Sequence, residues 1–151
     1  MKKIKVLFVC IHNSARSQMA EALLQHHSKD AFFVESAGLE QGKLNSLAVT
    51  AMLEIGIDIS KNLTNSVFDF LQEGRSYDFV ITVCDESSSE QCPVFPGKGK
   101  RLHWNFQDPS SLNGSYNENL RKTNIIRDEI EIKILDFIEC VKTDFEAEKA
   151  F

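Results

Sequence analysis

No stretch of this 151-residue chain approaches the roughly 20 consecutive apolar residues that a membrane span requires. The run near the N-terminus, Ile4 to Val9, is too short for a signal peptide and no small-residue cleavage site follows it, so a strand is expected there. Cysteine is scarce, at four residues, which excludes a disulfide scaffold; without a leader, free or redox-active thiols and a cytoplasmic location are expected. Positive charge is in deficit, with 17 Lys and Arg against 22 Asp and Glu and a net charge of −5. That argues against a nucleic-acid partner or an anionic membrane surface, both of which need a basic field. Three prolines and seven glycines leave no room for a low-complexity segment or linker. What remains is an ordinary globular composition, 42% hydrophobic and 26% charged, expected to form one domain over residues 1–151.

The hydrophobic pattern alternates between short apolar runs and helical periods. Ile4–Val9, Phe32–Ser36, Asp78–Val83 and Arg101–Trp104 read as strands, the first and third as near-continuous buried runs. Between them, Met19, Ala22 and Leu23 lie on one helical face. Asn45-Ser46 opens a helix through Ala48, Val49, Met52 and Ile55 that Gly56 closes, and Ser66 precedes a short helix from Val67 to Gln72. Ile126, Ile130, Ile134, Phe137, Val141 and Phe145 mark a long C-terminal helix. Strands alternating with helices predict an α/β three-layer sandwich, a four-stranded parallel sheet flanked by helices. In such sheets ligands sit at the carboxyl ends of strands, which is where Cys10, Cys84, and Trp104 with Asp108 fall.

Cys10-Ile11-His12-Asn13-Ser14-Ala15-Arg16-Ser17 occupies the first strand-to-helix turn. Such a turn aims backbone N–H groups at one spot beside the positive end of a helix dipole, where a tetrahedral oxyanion fits. A thiol attacks only as thiolate, a form that a helix N-terminus, Arg16 and the Ser17 hydroxyl all favour. Arg16 adds a planar fork matched to two oxyanion oxygens. Residues Ile11, His12, Asn13, Ser14, Ala15, Arg16 and Ser17 are thus the candidate oxyanion-binding loop, with His12 placed either to touch substrate or to shape the loop.

Two further cysteines bracket the polar stretch Asp85–Gln91. If that stretch were helical, Cys84 and Cys92 would lie about 12 Å apart, beyond the 4.4–6.8 Å between α-carbons that a disulfide tolerates. A bond between them therefore requires the segment to unwind, the outline of a redox switch. Cys140, in the long helix beside Val141, reads as a small apolar residue, and His26, His27, His103 and Trp104 as packing or surface residues. Pro109 biases Asp108 to an extended conformation that projects its carboxyl from a loop, where a general acid could stand.

Taken together, Cys10-x5-Arg16-Ser17-Gln18-Met19-Ala20-Glu21, Ser36-Ala37-Gly38, Gly56-Ile57-Asp58-Ile59-Ser60, Cys84 with Cys92-Pro93, and His103-Trp104-x3-Asp108-Pro109 resemble the thioredoxin-coupled arsenate reductases of the low-molecular-weight tyrosine phosphatase fold. The likeness runs from Val6 to about Ile134. It implies arsenate as substrate, Cys10 as nucleophile, oxyanion binding by Arg16 and the loop amides, Asp108 as general acid, Cys84 and then Cys92 as resolving thiols, and thioredoxin as reductant. A monomer without cofactor is expected. His12 stands where such proteins usually carry glycine, Ala15 where many carry another cysteine, and the Cys84–Cys92 spacing is about one residue longer. Some similar proteins hold potassium between Asn, Glu, Ser and Asp. Asn13, Glu21 and Ser36 match, but Asn65 or Ser66 replaces the aspartate, so no metal is expected. A tyrosine phosphatase acting through a Cys10 phosphoenzyme is the alternative, although Gln18 replaces its usual proline and no tyrosine follows Asp108-Pro109.

Overall fold

The computed structural model describes residues 3–84, 90–97 and 99–149, with side-chain surroundings through residue 144. Four strands form one parallel sheet: β1 (Ile4–Cys10), β2 (Phe32–Gly38), β3 (Phe79–Thr82) and β4 (Lys100–His103). Their order is β2-β1-β3-β4, with Cys10 opposite Gly38, Val9 opposite Thr82, and Thr82 opposite His103. β1 is central and covered on both faces, which is why five consecutive residues, Val6 to Cys10, are buried without polar alternation. The chain leaves β1 toward β2 and then returns to β1's other side for β3. The crevice beyond the carboxyl ends of β1 and β3 is therefore the topological switch point, where open α/β sheets bind ligands.

Helices α1 (Arg16–Ser28), α2 (Ser46–Leu53) and α4 (Tyr116–Lys149) cover one face through Val6, Phe8 and Cys10. α3 (Val67–Gln72) covers the other through Leu7 and Val9, so the three layers expected from the sequence are present. Asn45 caps α2, its side-chain oxygen accepting from the N–H groups of Leu47 and Ala48 at 2.8 and 3.2 Å. Gly56 and Gly74 follow α2 and α3 with φ of +83° and +74°, a region that glycine enters without steric strain. Ser66 precedes α3 but contributes no side-chain cap.

Several details differ from the sequence reading. α1 is not amphipathic over its first two turns: Arg16 to Ala20 and Ala22 to Leu24 are all buried, because the helix is enclosed by the sheet, α4 and the loops at the sheet's carboxyl edge. β2 runs through Ala37-Gly38 rather than turning there, since both residues pair with β1. α4 begins at Tyr116, ten residues before its apolar stripe. Ser115 accepts from the N–H of Glu118 at 3.2 Å, a Ser-x-x-Glu start that propensity alone overlooked. Cys140 is exposed rather than packed.

On α4, Phe137 joins the sheet to the helical layer. Its ring lies 5.9 Å from Phe32, 5.1 Å from Phe79 and 5.6 Å from Trp104, and Trp104 in turn meets Phe8 at 5.8 Å. Trp104 is thus a packing residue, as the sequence suggested. Phe137→Ala should cost about 3–5 kcal/mol of unfolding free energy, read as a lower urea midpoint with an unchanged slope.

Candidate active site

The loop from Cys10 to Ala15 is held from outside by its carbonyls. Those of Cys10, Ile11, His12 and Ser14 accept from the N–H groups of Leu39, Glu40, Gly42 and Asn45 at 3.0, 2.8, 3.0 and 2.8 Å. The Asn13 carbonyl accepts from Gln18 Nε2 at 3.2 Å. In a planar trans peptide the next N–H points opposite to the carbonyl. The amides of residues Ile11 to Ala15 are thereby turned to the inner side of the loop, where the Asn13 N–H already donates to Cys10 Sγ at 3.2 Å. α1 starts there with no side-chain cap, leaving its N-terminus open to an anion.

Asn13 is the hub of this arrangement. It sits at φ +55°, a left-handed conformation that asparagine tolerates better than most residues, and it is fully buried. Its Nδ2 donates to Ser17 Oγ at 2.8 Å and to Ser36 Oγ at 2.9 Å. Its Oδ1 accepts from the Asn65 N–H at 2.9 Å and from Gln18 Nε2 at 3.2 Å. A main-chain N–H can only donate, so the orientation of the Asn13 amide is fixed. Ser17 Oγ is then an acceptor toward Asn13, and it also hydrogen-bonds Cys10 Sγ, 2.9 Å away. The sulfur of the nucleophile candidate thus has two hydrogen-bond partners, the Asn13 N–H and the Ser17 hydroxyl.

Arg16 is buried; its Nη1 donates to the Phe106 carbonyl at 3.2 Å and its Nη2 lies 3.4 Å from Asp108 Oδ2. Asp108 is extended, as Pro109 requires, and caps the following turn by accepting from the Ser110 N–H at 2.9 Å. Cys10 is thus in contact with Ser17, and Arg16, the residue before Ser17, with Asp108. His12 is not part of the inner surface: its half-exposed side chain turns out toward Glu40, at 3.6 Å. Gly38 is required by close approach, since a Cβ there would come within 2.6 Å of the Asn13 nitrogen and 2.7 Å of the His12 carbonyl carbon.

Cys84 is fully buried in the same cluster as Cys10, whereas Cys92 packs on the opposite face of the sheet with Leu7, Val9 and Val80. None of the four cysteines is joined in a disulfide. The segment expected to unwind between Cys84 and Cys92 lies largely in residues 85–89, outside the described residues. The sequence reading missed how Gln18, Asn62 and Asn65 serve the site. Gln18 Nε2 also donates to the Leu63 carbonyl at 3.0 Å while its Oε1 accepts from Asn62 Nδ2 at 3.1 Å, binding α1 to the segment before α3. No local pattern signals these contacts, which join residues 44 to 52 positions apart in the chain.

A family model for low molecular weight phosphotyrosine protein phosphatases matches residues 5–147. The chain belongs to that family. Within it, an arsenate reductase of Shouchella clausii is 41% identical over 140 residues, 92% of this chain and 98% of the relative. A solved arsenate reductase in a phosphate-binding state superposes on this family member with a TM-score of 0.70 at 27% identity, covering 90% of this chain and 97% of that one. A thioredoxin-dependent arsenate reductase of Corynebacterium glutamicum gives 0.61 at 29% identity, covering 88% of this chain and 62% of that one.

The potassium site suggested by resemblance does not fit this family member's donors. Asn65 places its N–H on Asn13 Oδ1 and its Nδ2 on the Ser36 carbonyl at 3.1 Å, presenting donors to oxygens that a cation would need. Among the described residues no group of three His, Cys, Asp or Glu side chains is placed to hold a metal. Nearby, burial pushes the Glu21 carboxyl up to about 7, against a hydrogen bond from Ser36 that pulls it down.

Two outcomes follow from this geometry. Ser17→Ala should slow alkylation of Cys10 about tenfold, by removing the hydroxyl that can hydrogen-bond the sulfur as it reacts, while circular dichroism stays unchanged. Because Glu21 holds its proton more tightly folded than unfolded, its contribution to stability is full below about pH 4.5 and is lost as pH rises through about 7. Wild type should thus lose roughly 3 kcal/mol through this one group across that window, and Glu21→Gln should flatten that part of the profile in urea titrations.

Proposed function

We propose that this chain reduces arsenate to arsenite through Cys10, Cys84 and Cys92, with thioredoxin restoring the thiols. The observation that carries the reading is the pairing of an amide-lined, Arg16-bearing loop around Cys10 with a second buried thiol, Cys84, in the same cluster. Phosphate-ester chemistry needs no second thiol.

Arsenate docks against the inward amides of Ile11 to Ser17, with Arg16 turning part of its fork from Asp108 to the oxyanion. The Cys10 thiolate attacks arsenic(V), and Asp108 gives its proton to the departing hydroxyl, which leaves as water. Cys84 as thiolate then attacks Cys10 Sγ. The S–As bond breaks, its electron pair stays on arsenic, and arsenite leaves as Cys10–Cys84 disulfide forms. Cys92 exchanges into that bond, freeing Cys10 and leaving Cys84–Cys92 for thioredoxin to reduce.

Support comes from two directions. Relatives about 40% identical along nearly the whole chain are arsenate reductases, and one solved neighbour is named as thioredoxin-dependent. The chain carries no described helix long and apolar enough to cross a membrane. We place it as a single-domain monomer in the cytoplasm, where free thiols persist. Phosphatase activity is a second reading, favoured by the Arg16–Asp108 pair beside Cys10, which suffices for a phosphoenzyme cycle.

The deciding assay is NADPH consumption with thioredoxin and thioredoxin reductase, with and without arsenate, run beside hydrolysis of an aryl phosphate. Arsenate-dependent consumption supports the reductase; aryl phosphate turnover alone supports the phosphatase. Cys92→Ser should give at most one arsenite per chain and accumulate a Cys10–Cys84 disulfide seen by mass spectrometry. Sustained turnover by that variant would refute the relay.

A further inference from the structure

Cys92 has surroundings that the relay does not account for. It is 4% exposed, in the cluster with Leu7, Val80, Tyr77 and Phe95, and its Sγ donates to the Pro93 carbonyl at 3.6 Å. Burial pushes the Cys92 thiol up, whereas the Arg101 cation pulls it down. Attack on a disulfide requires the thiolate, so a thiol in this apolar setting needs a nearby positive charge. Arg101 lies on β4 in register with Val80, whose side chain packs in that same cluster, so it stands on the Cys92 face of the sheet. Its Nη2 donates to the carbonyl of Cys92 itself at 3.0 Å. A cavity of about 50 Å³ bounded by Tyr77, Val80, Pro93, Phe95 and Arg101 adjoins the segment.

We propose that Arg101 is the positioning residue for the last intramolecular exchange, holding the Cys92 segment by its main chain and supplying the positive charge its thiolate needs. This rests on the relay proposed above. In the step served, Cys92 loses its proton to water and its thiolate attacks Cys84 Sγ of the Cys10–Cys84 disulfide. The Cys84–Cys92 bond forms, the Cys10–Cys84 bond breaks and Cys10 departs as thiolate, with no net oxidation. Arginine suits the task because its guanidinium is always charged and can bond a carbonyl while lying beside sulfur; lysine keeps the charge with less directional hold.

The test compares wild type, Arg101→Gln and Arg101→Lys in three measurements. Thioredoxin-driven arsenate turnover by Arg101→Gln should fall about tenfold near neutral pH, the equivalent of one pKa unit, and recover only as the pH rises above the ordinary thiol range, because burial already holds the Cys92 thiol up and the variant lacks the cation that pulls it down. Arg101→Lys should retain most of the turnover. Single-turnover arsenite release and aryl phosphate hydrolysis, neither of which involves Cys92, should be unchanged in both. The third measurement is the pH dependence of Cys92 alkylation, followed by mass spectrometry in a Cys10→Ser/Cys84→Ser background, which should move to higher pH in Arg101→Gln. Wild-type turnover and an unmoved alkylation profile in Arg101→Gln would overturn the inference, as would a loss that persists at every pH, which marks a purely structural role. If wild type itself shows no thioredoxin-driven turnover, the relay fails; the alkylation profile still decides whether Arg101 governs the Cys92 thiol.

Discussion

The active loop depends on where its carbonyls go. Each carbonyl from Cys10 to Ser14 is taken by a donor outside the loop, four by main-chain N–H groups between Leu39 and Asn45 and one by Gln18. Peptide planarity converts that outward anchoring into an inward array of N–H groups. An anion site built this way is pre-organised, because the groups that would otherwise collapse into the cavity are already committed. The cap of α2 belongs to the same construction: the Asn45 side chain closes the helix while its N–H secures Ser14.

Asn13 makes the second constraint chemical. Because its four hydrogen-bonding positions are all engaged, the orientation of its amide is fixed, and with it the place of the Ser17 hydroxyl between Asn13 Nδ2 and Cys10 Sγ. Buried polar networks are stable only when complete. Here completion also positions the Ser17 hydroxyl against Cys10 Sγ, so the same bonds that hold the fold's edge together order the surroundings of the proposed nucleophile.

The sheet divides the proposed relay. Cys10 and Cys84 share one face, where the first two steps can run in a packed interior. Cys92 lies against the other face in a cluster of its own. Separation keeps the third thiol from competing for the oxyanion site. It also makes its reactivity depend on neighbours of its own, Arg101 foremost, rather than on the helix terminus that serves Cys10.

Much was legible in the chain before any coordinates. The strands, the Cys10 loop, Asp108 beside Pro109 and the capping role of Asn45 are local matters, written in short-range patterns of burial, spacing and turn chemistry. Cys10, Arg16 and Asp108 could be named because their residue types suit oxyanion chemistry wherever they meet. What the sequence could not express was who meets whom. The order β2-β1-β3-β4, the outward turn of His12 to Glu40, the service of Gln18 and Asn65 to the loop, and the placement of Cys92 across the sheet from Cys10 all join residues distant in the chain. Residue type and spacing determined which groups can do the chemistry. Only the tertiary structure decided their hydrogen-bond directions and the face of the sheet each occupies, because those follow from long-range packing and not from local preference.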